Sequence, residues 1–200
     1  MATVFLCVGL SHKDTPIAVR EQVAVSAEAL PERLARLKGL PGVAEAMMLS
    51  TCNRLEVFAI AEGEAAASDL LAELGAAAAP HAQVREGEQA LRHLFRVAAS
   101  LDSMVVGEAQ ILGQVKDAAA AAQSAGAAGG ALSGAVARAL QSAKRVRTQT
   151  ALARGAVSLS TVAVQLVRKV LGDLTGRSVL LVGAGEMAQL AARELRQSGA

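Results

Sequence analysis

The apolar residues of this 200-residue chain change their spacing once, near Gly87, and that change constrains the fold more than any other feature. Before Gly87, three runs rich in apolar and β-branched residues predict strands over 3–10, 43–49 and 55–61. After Gly87, apolar residues recur at the i, i+3, i+4 and i+7 positions of a helix, at Leu91, Leu94, Phe95 and Ala98. We therefore predict an α/β protein in which a small α+β sheet domain carries a helical layer.

Helical patterns connect and follow the predicted strands. They cover 16–23, 27–37, 63–79, 108–125 and 131–152. Ser26 is predicted to be the N-cap of the second of these helices. The polar residues from Ser50 to Arg54 link the second strand to the third. This first domain is predicted to span residues 1–155.

The remaining residues, 156–200, predict a linker helix and the start of a Rossmann-type dinucleotide-binding domain. The linker helix covers 157–171, a buried strand covers 178–182, and Gly183-Ala184-Gly185-Glu186-Met187-Ala188 then opens an amphipathic helix. In such a G-x-G-x-x-A motif the first glycine permits a tight turn and the second lets a pyrophosphate approach the backbone. The alternative is a glycine-rich turn without a ligand. The residue that distinguishes NADP from NAD is expected beyond Ala200.

Composition excludes several classes of protein. Twenty basic and 18 acidic residues give a formal net charge of +2, which is too balanced to indicate a nucleic-acid-binding protein by charge alone. No run approaches the roughly 20 apolar residues of a membrane span, so we expect a cytoplasmic protein without membrane contact. The two cysteines, Cys7 and Cys52, provide neither a disulfide framework nor the spacing of a zinc site.

Cys52 has two interpretations that the sequence leaves open. A free cysteine is commonly buried and structural. The neighbours of Cys52 are polar, however, and Arg54 together with backbone N–H groups would favour the thiolate that attacks acyl carbons. His93 borders the apolar stripe of its helix, where it is either a packed histidine or a general acid–base partner of Cys52. Cys7 alternates with Phe5 and Gly9 in a strand and is assigned to the core or to the surface of the sheet.

Two further groups of polar residues also have two interpretations each. Gln110 and Gln114 stand four residues apart on one helix face, so they either bind the amino and carboxylate groups of a small zwitterion or face solvent. Basic residues gather at Arg138, Lys144, Arg145, Arg147 and Arg154. This basic cluster either neutralises RNA phosphates or forms a solvated helix face.

Five blocks of sequence, in this order, resemble the glutamyl-tRNA reductase family. They are Gly9-Leu10-Ser11-His12-Lys13-Asp14-Thr15-Pro16, Leu49-Ser50-Thr51-Cys52-Asn53-Arg54-Leu55-Glu56, His93-Leu94-Phe95-Arg96-Val97, residues 101–116, and Lys144-Arg145-Val146-Arg147-Thr148. The resemblance spans nearly the whole chain, and the S-T-C-N-R-x-E core makes a chance match improbable.

The resemblance implies an NADPH-dependent enzyme that reduces the glutamyl group of glutamyl-tRNA(Glu) to glutamate-1-semialdehyde, the first step of tetrapyrrole (porphyrin) biosynthesis. It implies that Cys52 forms a thioester with the glutamyl group and that His93 is linked to activity. The implied glutamate pocket is lined by Thr51, Asn53, Arg54, Ser103, Glu108, Ala109, Gln110 and Gln114. The implied NADPH phosphate site is Gly183, Ala184, Gly185, Glu186, Met187 and Ala188.

The family also implies partners that the residues themselves do not indicate. These are a homodimer formed through a C-terminal domain beyond this chain, and glutamate-1-semialdehyde aminomutase as the receiver of the aldehyde. By itself, the 200-residue chain is expected to retain acyl transfer but to bind NADPH weakly.

Two residues depart from the family pattern. Ser100 stands where the family usually has glycine, and Ala109 stands where proline is common. Since both residues are small, we expect a local backbone adjustment and an intact pocket.

Two rival hypotheses remain at this point. A cysteine hydrolase or acyltransferase would use Cys52 and His93 without a redox step, but it leaves the glycine motif unexplained. A non-catalytic RNA or dinucleotide sensor would use the basic cluster and the glycine turn, and it predicts that Cys52→Ser changes nothing.

Overall fold

A four-stranded antiparallel sheet with the order β2-β3-β1-β4 lies at the centre of the protein. The computed structural model describes residues 3–62, 65–153, 159–183 and 185–200. The strands are β1 (Thr3–Ser11), β2 (Val43–Ser50), β3 (Arg54–Glu62) and β4 (Gln83–Glu86). The first three confirm the predicted strands. The edge strand β4 escapes prediction because only one of its four residues, Val84, is apolar.

Helices cover most of the remaining described chain. They are α1 (Ile17–Val23), α2 (Leu30–Lys38), α3 (Ala65–Glu73), α4 (Gly87–Ala98), α5 (Gln110–Ser124), α6 (Gly130–Gln149), α7 (Leu159–Leu171) and α8 (Glu186–Gln197), with a 3-10 turn at Ala151–Ala153. α3 ends at Glu73 rather than at residue 79, because Gly75 takes a positive φ of 93°. The prediction of Ser26 as the N-cap of α2 is wrong, because the N-cap is Ala29; Ser26 Oγ accepts the N–H of Ala29 at 3.4 Å in the turn before the helix.

The main core lies between the sheet and the helices. β3 is buried at its first six positions, so helices or loops cover both faces of the sheet. α4, α5 and α6 pack on one another and on the sheet. Their buried faces include several alanines, among them Ala118 and Ala122 on α5 and Ala139 and Ala143 on α6. Such small side chains let helix backbones approach closely, as the alanine-rich sequence predicts.

One carboxylate ties the edge of the sheet to the helical layer. Glu45, at a bulge in β2, accepts the N–H groups of Gly129, Ala131 and Leu132 at 3.0, 3.2 and 2.7 Å. These are N–H groups at the start of α6 that have no partner within the helix, and the negative charge also suits the positive end of the helix dipole. Glu45 therefore fixes where α6 begins.

The C-terminal part of the chain differs from its prediction in one respect. α7 and α8 pack on each other through Val164, Leu174 and Leu195. The predicted buried strand over 178–182 is wrong, because these residues form no strand, and Leu180 and Val182 are 88% and 91% exposed. A parallel strand needs neighbours to share its backbone hydrogen bonds, and none of the four described strands pairs with this segment.

The length and hydropathy of the helices also bear on membrane contact. Within the described ranges, none of the helices is both long enough and apolar enough to cross a bilayer.

Candidate active site

Cys52 lies at the tip of the β2–β3 hairpin. Thr51 N–H donates to Arg54 O at 2.8 Å, which leaves Cys52 and Asn53 as the two residues of the turn. Thr51 Oγ1 accepts the N–H groups of Asn53 and Arg54 at 3.2 and 3.1 Å, and His12 N–H donates to Asn53 O at 2.8 Å. The backbone around Cys52 is thus fixed on both sides while the residue itself is exposed.

A pocket opens beside this turn, with a cavity volume of about 70 Å³. One side is the hairpin wall, residues 51–54, and the opposite side is the loop wall, whose lining residues lie within 103–108. The first turns of α5 complete it with Gln110, Ile111 and Gln114. The volume holds several water-sized groups, which suits a small polar side chain.

The pocket brings together nearly all the predicted substrate-binding residues. Thr51, Cys52, Asn53, Arg54, Ser103, Glu108, Gln110 and Gln114 all line it. Ala109 is exposed and is not among the lining residues. The sequence analysis did not single out three apolar lining residues, Met104, Val105 and Ile111, because an apolar residue in a pocket looks in sequence like any core residue.

Glu108 has a structural role as well as a place in the pocket. Its Oε2 accepts Gln110 N–H at 2.7 Å, and its Oε1 accepts Ile111 N–H at 3.0 Å and the Ser103 hydroxyl at 3.3 Å. It therefore caps the start of α5, which explains why the helix begins at Gln110 and not at 108. The cap places one carboxylate at the pocket.

Arg54 is the centre of a buried charge network. Its side chain is 2% exposed, and it donates from Nη1 to Glu56 Oε1 at 3.1 Å and from Nη2 to Asp102 O at 2.7 Å. The Asp102 carboxylate lies 3.4 Å from Nη2 and also pairs with Lys13. Two cations and two carboxylates thus balance one another, with Arg54 and Glu56 buried and Lys13 partly exposed to solvent.

The charge network lowers the pKa values of the Glu56 and Asp102 carboxyl groups. Burial alone would raise the pKa of Glu56, but hydrogen bonding to His93 and the Arg54 charge outweigh it, so the pKa is lowered. Asp102 follows the same pattern: burial raises its pKa, but the hydrogen bond from Lys13 and the charge of Arg54 outweigh burial, so its pKa is lowered. Both groups are therefore carboxylates at neutral pH.

His93 is buried and belongs to the same network. Its Nε2 lies 2.8 Å from Glu56 Oε1, and its ring stacks on Phe58 with a centroid distance of 6.3 Å. His93 is not among the pocket-lining residues. The described contacts connect it to the pocket through Glu56 and Arg54.

Cys7 is buried, whereas Cys52 is exposed. It is fully buried, and burial together with the Glu56 charge raises its pKa well above 9.0, so it is a neutral thiol. Of the two expected placements, the structure shows the core. Cys7, Glu56 and His93 offer ligand atoms within 4.8 Å of one another; Glu56 Oε1 accepts from Arg54 and contacts His93, while Glu56 Oε2 is buried without a hydrogen-bond partner.

Arg147 anchors the loop wall from the other side. Its Nη1 donates to Gly107 O at 3.0 Å and to Glu108 O at 3.1 Å. Gly107 has a positive φ of 88°, and a Cβ there would meet Leu152 O at 2.4 Å. Arg147 of the basic cluster therefore has an intramolecular role, whereas Arg138, Lys144 and Arg145 are exposed and Arg154 lies outside the described residues.

Ser100 begins the segment that forms the loop wall, in a conformation that favours glycine. It has a φ of +60°, and it follows α4 in a Schellman motif in which Leu101 N–H donates to Arg96 O and Ser100 N–H donates to Val97 O, both at 2.9 Å. The pocket is complete with this serine in place. The departure from glycine therefore changes the backbone strain at position 100 and not the presence of the site.

The glycine motif is described in part. Gly183 has a positive φ of 112°, Gly185 is the N-cap of α8, and Ala188 lies in that helix. Ala184 lies outside the described residues, and Glu186 and Met187 begin α8. A Cβ at Gly185 would meet nothing within 4 Å, so the described residues leave open space at this glycine and do not enclose a ligand site.

Comparison with known proteins gives a consistent family. Residues 8–150 match the family described as "Glutamyl-tRNAGlu reductase, N-terminal domain". Glutamyl-tRNA reductase 2 of Anaeromyxobacter dehalogenans is 54% identical over 96% of this chain and 43% of its own length, and glutamyl-tRNA reductase of Solibacter usitatus is 50% identical over 98% and 48%. The solved glutamyl-tRNA reductase from Methanopyrus kandleri superposes with a TM-score of 0.69 at 37% identity, over 98% of this chain and 47% of that one. The chain thus spans about half the length of these relatives.

Proposed function

Because this chain belongs to the glutamyl-tRNA reductase family, we propose that it carries the acyl-transfer site of such an enzyme, with Cys52 as the nucleophile. Residues 1–155 are then the catalytic domain, and residues 156–200 are a linker helix and the start of the NADPH-binding domain. The observation that carries the proposal is the exposed Cys52 in one pocket with the polar residues of the hairpin wall, the loop wall and α5.

The proposed first step transfers the glutamyl group from tRNA to the protein. Cys52 Sγ, as a thiolate, attacks the carbonyl carbon of the ester that joins glutamate to its tRNA. The bond from that carbon to the ribose oxygen breaks, the ribose oxygen takes up a proton, and a thioester remains on Cys52. A cysteine on a two-residue turn presents its Sγ to a large substrate without moving any strand.

Recognition of the glutamyl group is proposed for the rest of the pocket. The Glu108 carboxylate suits the ammonium group, while hydroxyl and amide groups from Thr51, Asn53, Ser103, Gln110 and Gln114 suit the carboxylate and the carbonyl oxygen. Arg54 also lines the pocket, and Ala109 lies in sequence between the lining residues Glu108 and Gln110. His93 is proposed to support activity through its contact with Glu56.

The second step requires a cofactor. NADPH, when bound at Gly183, Ala184, Gly185, Glu186, Met187 and Ala188, supplies the hydride that reduces the thioester to glutamate-1-semialdehyde and frees the Cys52 thiolate. This is the first step of tetrapyrrole biosynthesis. We further propose that the full-length protein is a cytoplasmic homodimer that passes its aldehyde to glutamate-1-semialdehyde aminomutase.

Mass spectrometry after incubation with glutamyl-tRNA, in the absence of NADPH, tests the proposed acyl transfer. The expected result is a glutamyl adduct on Cys52, absent from Cys52→Ser and retained in Cys7→Ser as the matched control. An adduct that persists in Cys52→Ser, or no adduct and no released glutamate from the folded wild type, would contradict the proposal. A semialdehyde formed by the full-length parent with NADPH would exclude a simple hydrolase.

A further inference from the structure

We infer that Glu56 is a positioning residue of this active site, which holds the Arg54 guanidinium in the orientation that fixes the loop wall, and that His93 acts on the pocket through Glu56. The inference rests on the proposed function of Cys52 and its pocket. Glu56 itself does not line that pocket.

Strand β3 places the side chains of Arg54, Glu56 and Phe58 on one face of the sheet. Arg54, Glu56 and Phe58 alternate along β3, so their side chains point the same way, toward the side where His93 of α4 stacks on Phe58. Gly9 is the partner of Glu56 on β1. A Cβ at Gly9 would lie 2.3 Å from Leu55 O and 2.8 Å from Glu56 Cγ, so only glycine leaves the Glu56 side chain in its place.

The ion pairs of Glu56 on the described part of the chain are those with Arg54 and His93. The side chain is 2% exposed, so it does not serve the surface, and a carboxylate in that setting is costly unless it is paired. Its Oε1 is shared between Arg54 Nη1 and His93 Nε2, at 3.1 and 2.8 Å. Two residues from different elements thus converge on one oxygen atom.

The planar guanidinium turns this contact into a constraint on the loop wall. Because the nitrogen atoms of arginine are fixed in a fork, binding Nη1 to Glu56 aims Nη2 in one direction. Nη2 donates to Asp102 O at 2.7 Å, and Asp102 directly precedes the pocket-lining residues Ser103, Met104 and Val105. Without Glu56, the guanidinium keeps its contacts with Asp102 but loses the contact that holds Nη1 from the strand, so the donor to the start of the loop wall is less firmly oriented.

The role of His93 follows from the same geometry. Its ring is buried, is held flat against Phe58, and contacts Glu56 rather than a pocket-lining group. It therefore sets the position of the Glu56 carboxylate. A histidine that acted directly on the ester would be expected among the residues that line the pocket.

The first experiment compares Glu56→Gln with Glu45→Gln in the 200-residue chain. Both substitutions remove one partly or fully buried carboxylate charge, but Glu45 caps α6 and has no contact with the pocket. Single-turnover acyl transfer is measured over a range of glutamyl-tRNA concentrations, and Cys52 alkylation by iodoacetamide is measured without substrate. For Glu56→Gln the half-saturating concentration should rise about tenfold, the effect of losing one hydrogen bond to a charged group. The alkylation rate should stay within about twofold of wild type, and Glu45→Gln should match wild type in both.

A double variant and an exchange measurement separate positioning from other causes. If Glu56 acts through Arg54, Arg54→Lys/Glu56→Gln should transfer glutamate no more poorly than Arg54→Lys alone. Hydrogen–deuterium exchange in the peptide 99–109 should be faster in Glu56→Gln and unchanged in Glu45→Gln. Equal half-saturation in Glu56→Gln and wild type, or exchange no faster than wild type, would overturn the inference.

The exchange measurement also distinguishes the two proposals. A wild type that forms no Cys52 adduct and releases no glutamate refutes the acyl-transfer proposal, while exchange in the loop wall still decides whether Glu56 positions it. An adduct on Cys52 with an unaltered loop wall in Glu56→Gln refutes the inference alone.

Discussion

The two walls of the pocket are built by different kinds of interaction. The hairpin wall is held by main-chain hydrogen bonds of a strand ladder, closed by Thr51 N–H to Arg54 O. The loop wall has no ladder. A few main-chain hydrogen bonds, such as Gly107 N–H to Ser100 O at 3.0 Å, are supplemented by side chains, with Arg54 at Asp102 and Arg147 at Gly107 and Glu108. The difference teaches that Cys52, the proposed nucleophile, is placed by the strand ladder, whereas the residues of the loop wall depend in large part on two arginine side chains.

The largest effect is expected from removing the positive charge of Arg54, which Glu56 and Asp102 share. Arg54→Met leaves Glu56 and Asp102 as buried or partly buried carboxylates without their main partner, and breaking such a pair costs about 3–5 kcal/mol. Urea unfolding should report a loss of that size. Arg54→Met/Glu56→Leu is the matched variant, and it should recover part of the loss because one stranded charge is removed as well. A single variant as stable as wild type would contradict the network.

Acid should weaken the loop wall before it affects the hairpin ladder. Glu56 and Asp102 have pKa values lowered below their ordinary 4.5 and 3.8, so the unfolded state takes up protons first as the pH falls. Stability is then complete above about pH 4.5 and declines below it, as the contacts with Arg54, Lys13 and His93 are lost. Urea midpoints between pH 7 and pH 3 measure this, and Glu56→Gln should flatten the acid limb. A decline that begins near pH 6 would implicate another group.

Arg147 supports the same wall with a smaller contribution. Arg147→Met removes a donor from two carbonyl oxygens, and hydrogen bonds from charged groups are worth about 1.5–3 kcal/mol. Exchange in the peptide 99–109 should quicken, while the turn that carries Cys52 should keep its alkylation rate. The exposed Arg145 provides the control, since Arg145→Met should leave both unchanged. If exchange in the peptide 99–109 were faster in both Arg147→Met and Arg145→Met, the result would contradict a specific role of Arg147 in holding the loop wall.

The smallest effect is expected at the start of the loop wall. Ser100→Gly relieves a positive φ of 60°, which should stabilise the protein by about 0.5 kcal/mol after the loss of the hydrogen bond to Ser103 Oγ. Ser100→Ala keeps the Cβ and loses the hydroxyl, so it should be destabilising. Thermal unfolding of the two variants decides the sign. If the Ser100→Ala variant were more stable than the Ser100→Gly variant, the backbone at position 100 would carry no strain.

Local pattern was enough to predict most of the fold. The strands over β1, β2 and β3 follow from apolar runs bounded by turn residues, and the long helices follow from their period. The pocket residues were predicted from the family resemblance, and their meeting in one cavity agrees with it. Local pattern therefore carried the prediction of the fold, and the resemblance carried the prediction of the pocket.

Contacts between distant residues were out of reach. Glu56 and His93 are separated by 37 residues, and Arg54 and Asp102 by 48, so no period along the chain relates them. One signal was available, because Arg54 and Glu56 alternate with apolar residues in a strand that reads as buried, and buried charges must be paired. Glu45, a lone carboxylate within β2, is a second such signal. The strand over 178–182 was predicted wrongly because apolar character does not supply sheet partners.

The exposed run from Val179 to Val182 has a practical consequence for work with the 200-residue chain. Val179, Leu180 and Val182 are β-prone side chains that face solvent, a combination that favours contact between copies of a protein. We expect light scattering by a purified sample to rise with protein concentration, and to rise faster in sulfate, which strengthens apolar association. A Leu180→Lys variant should stay clear at concentrations where the parent turns cloudy.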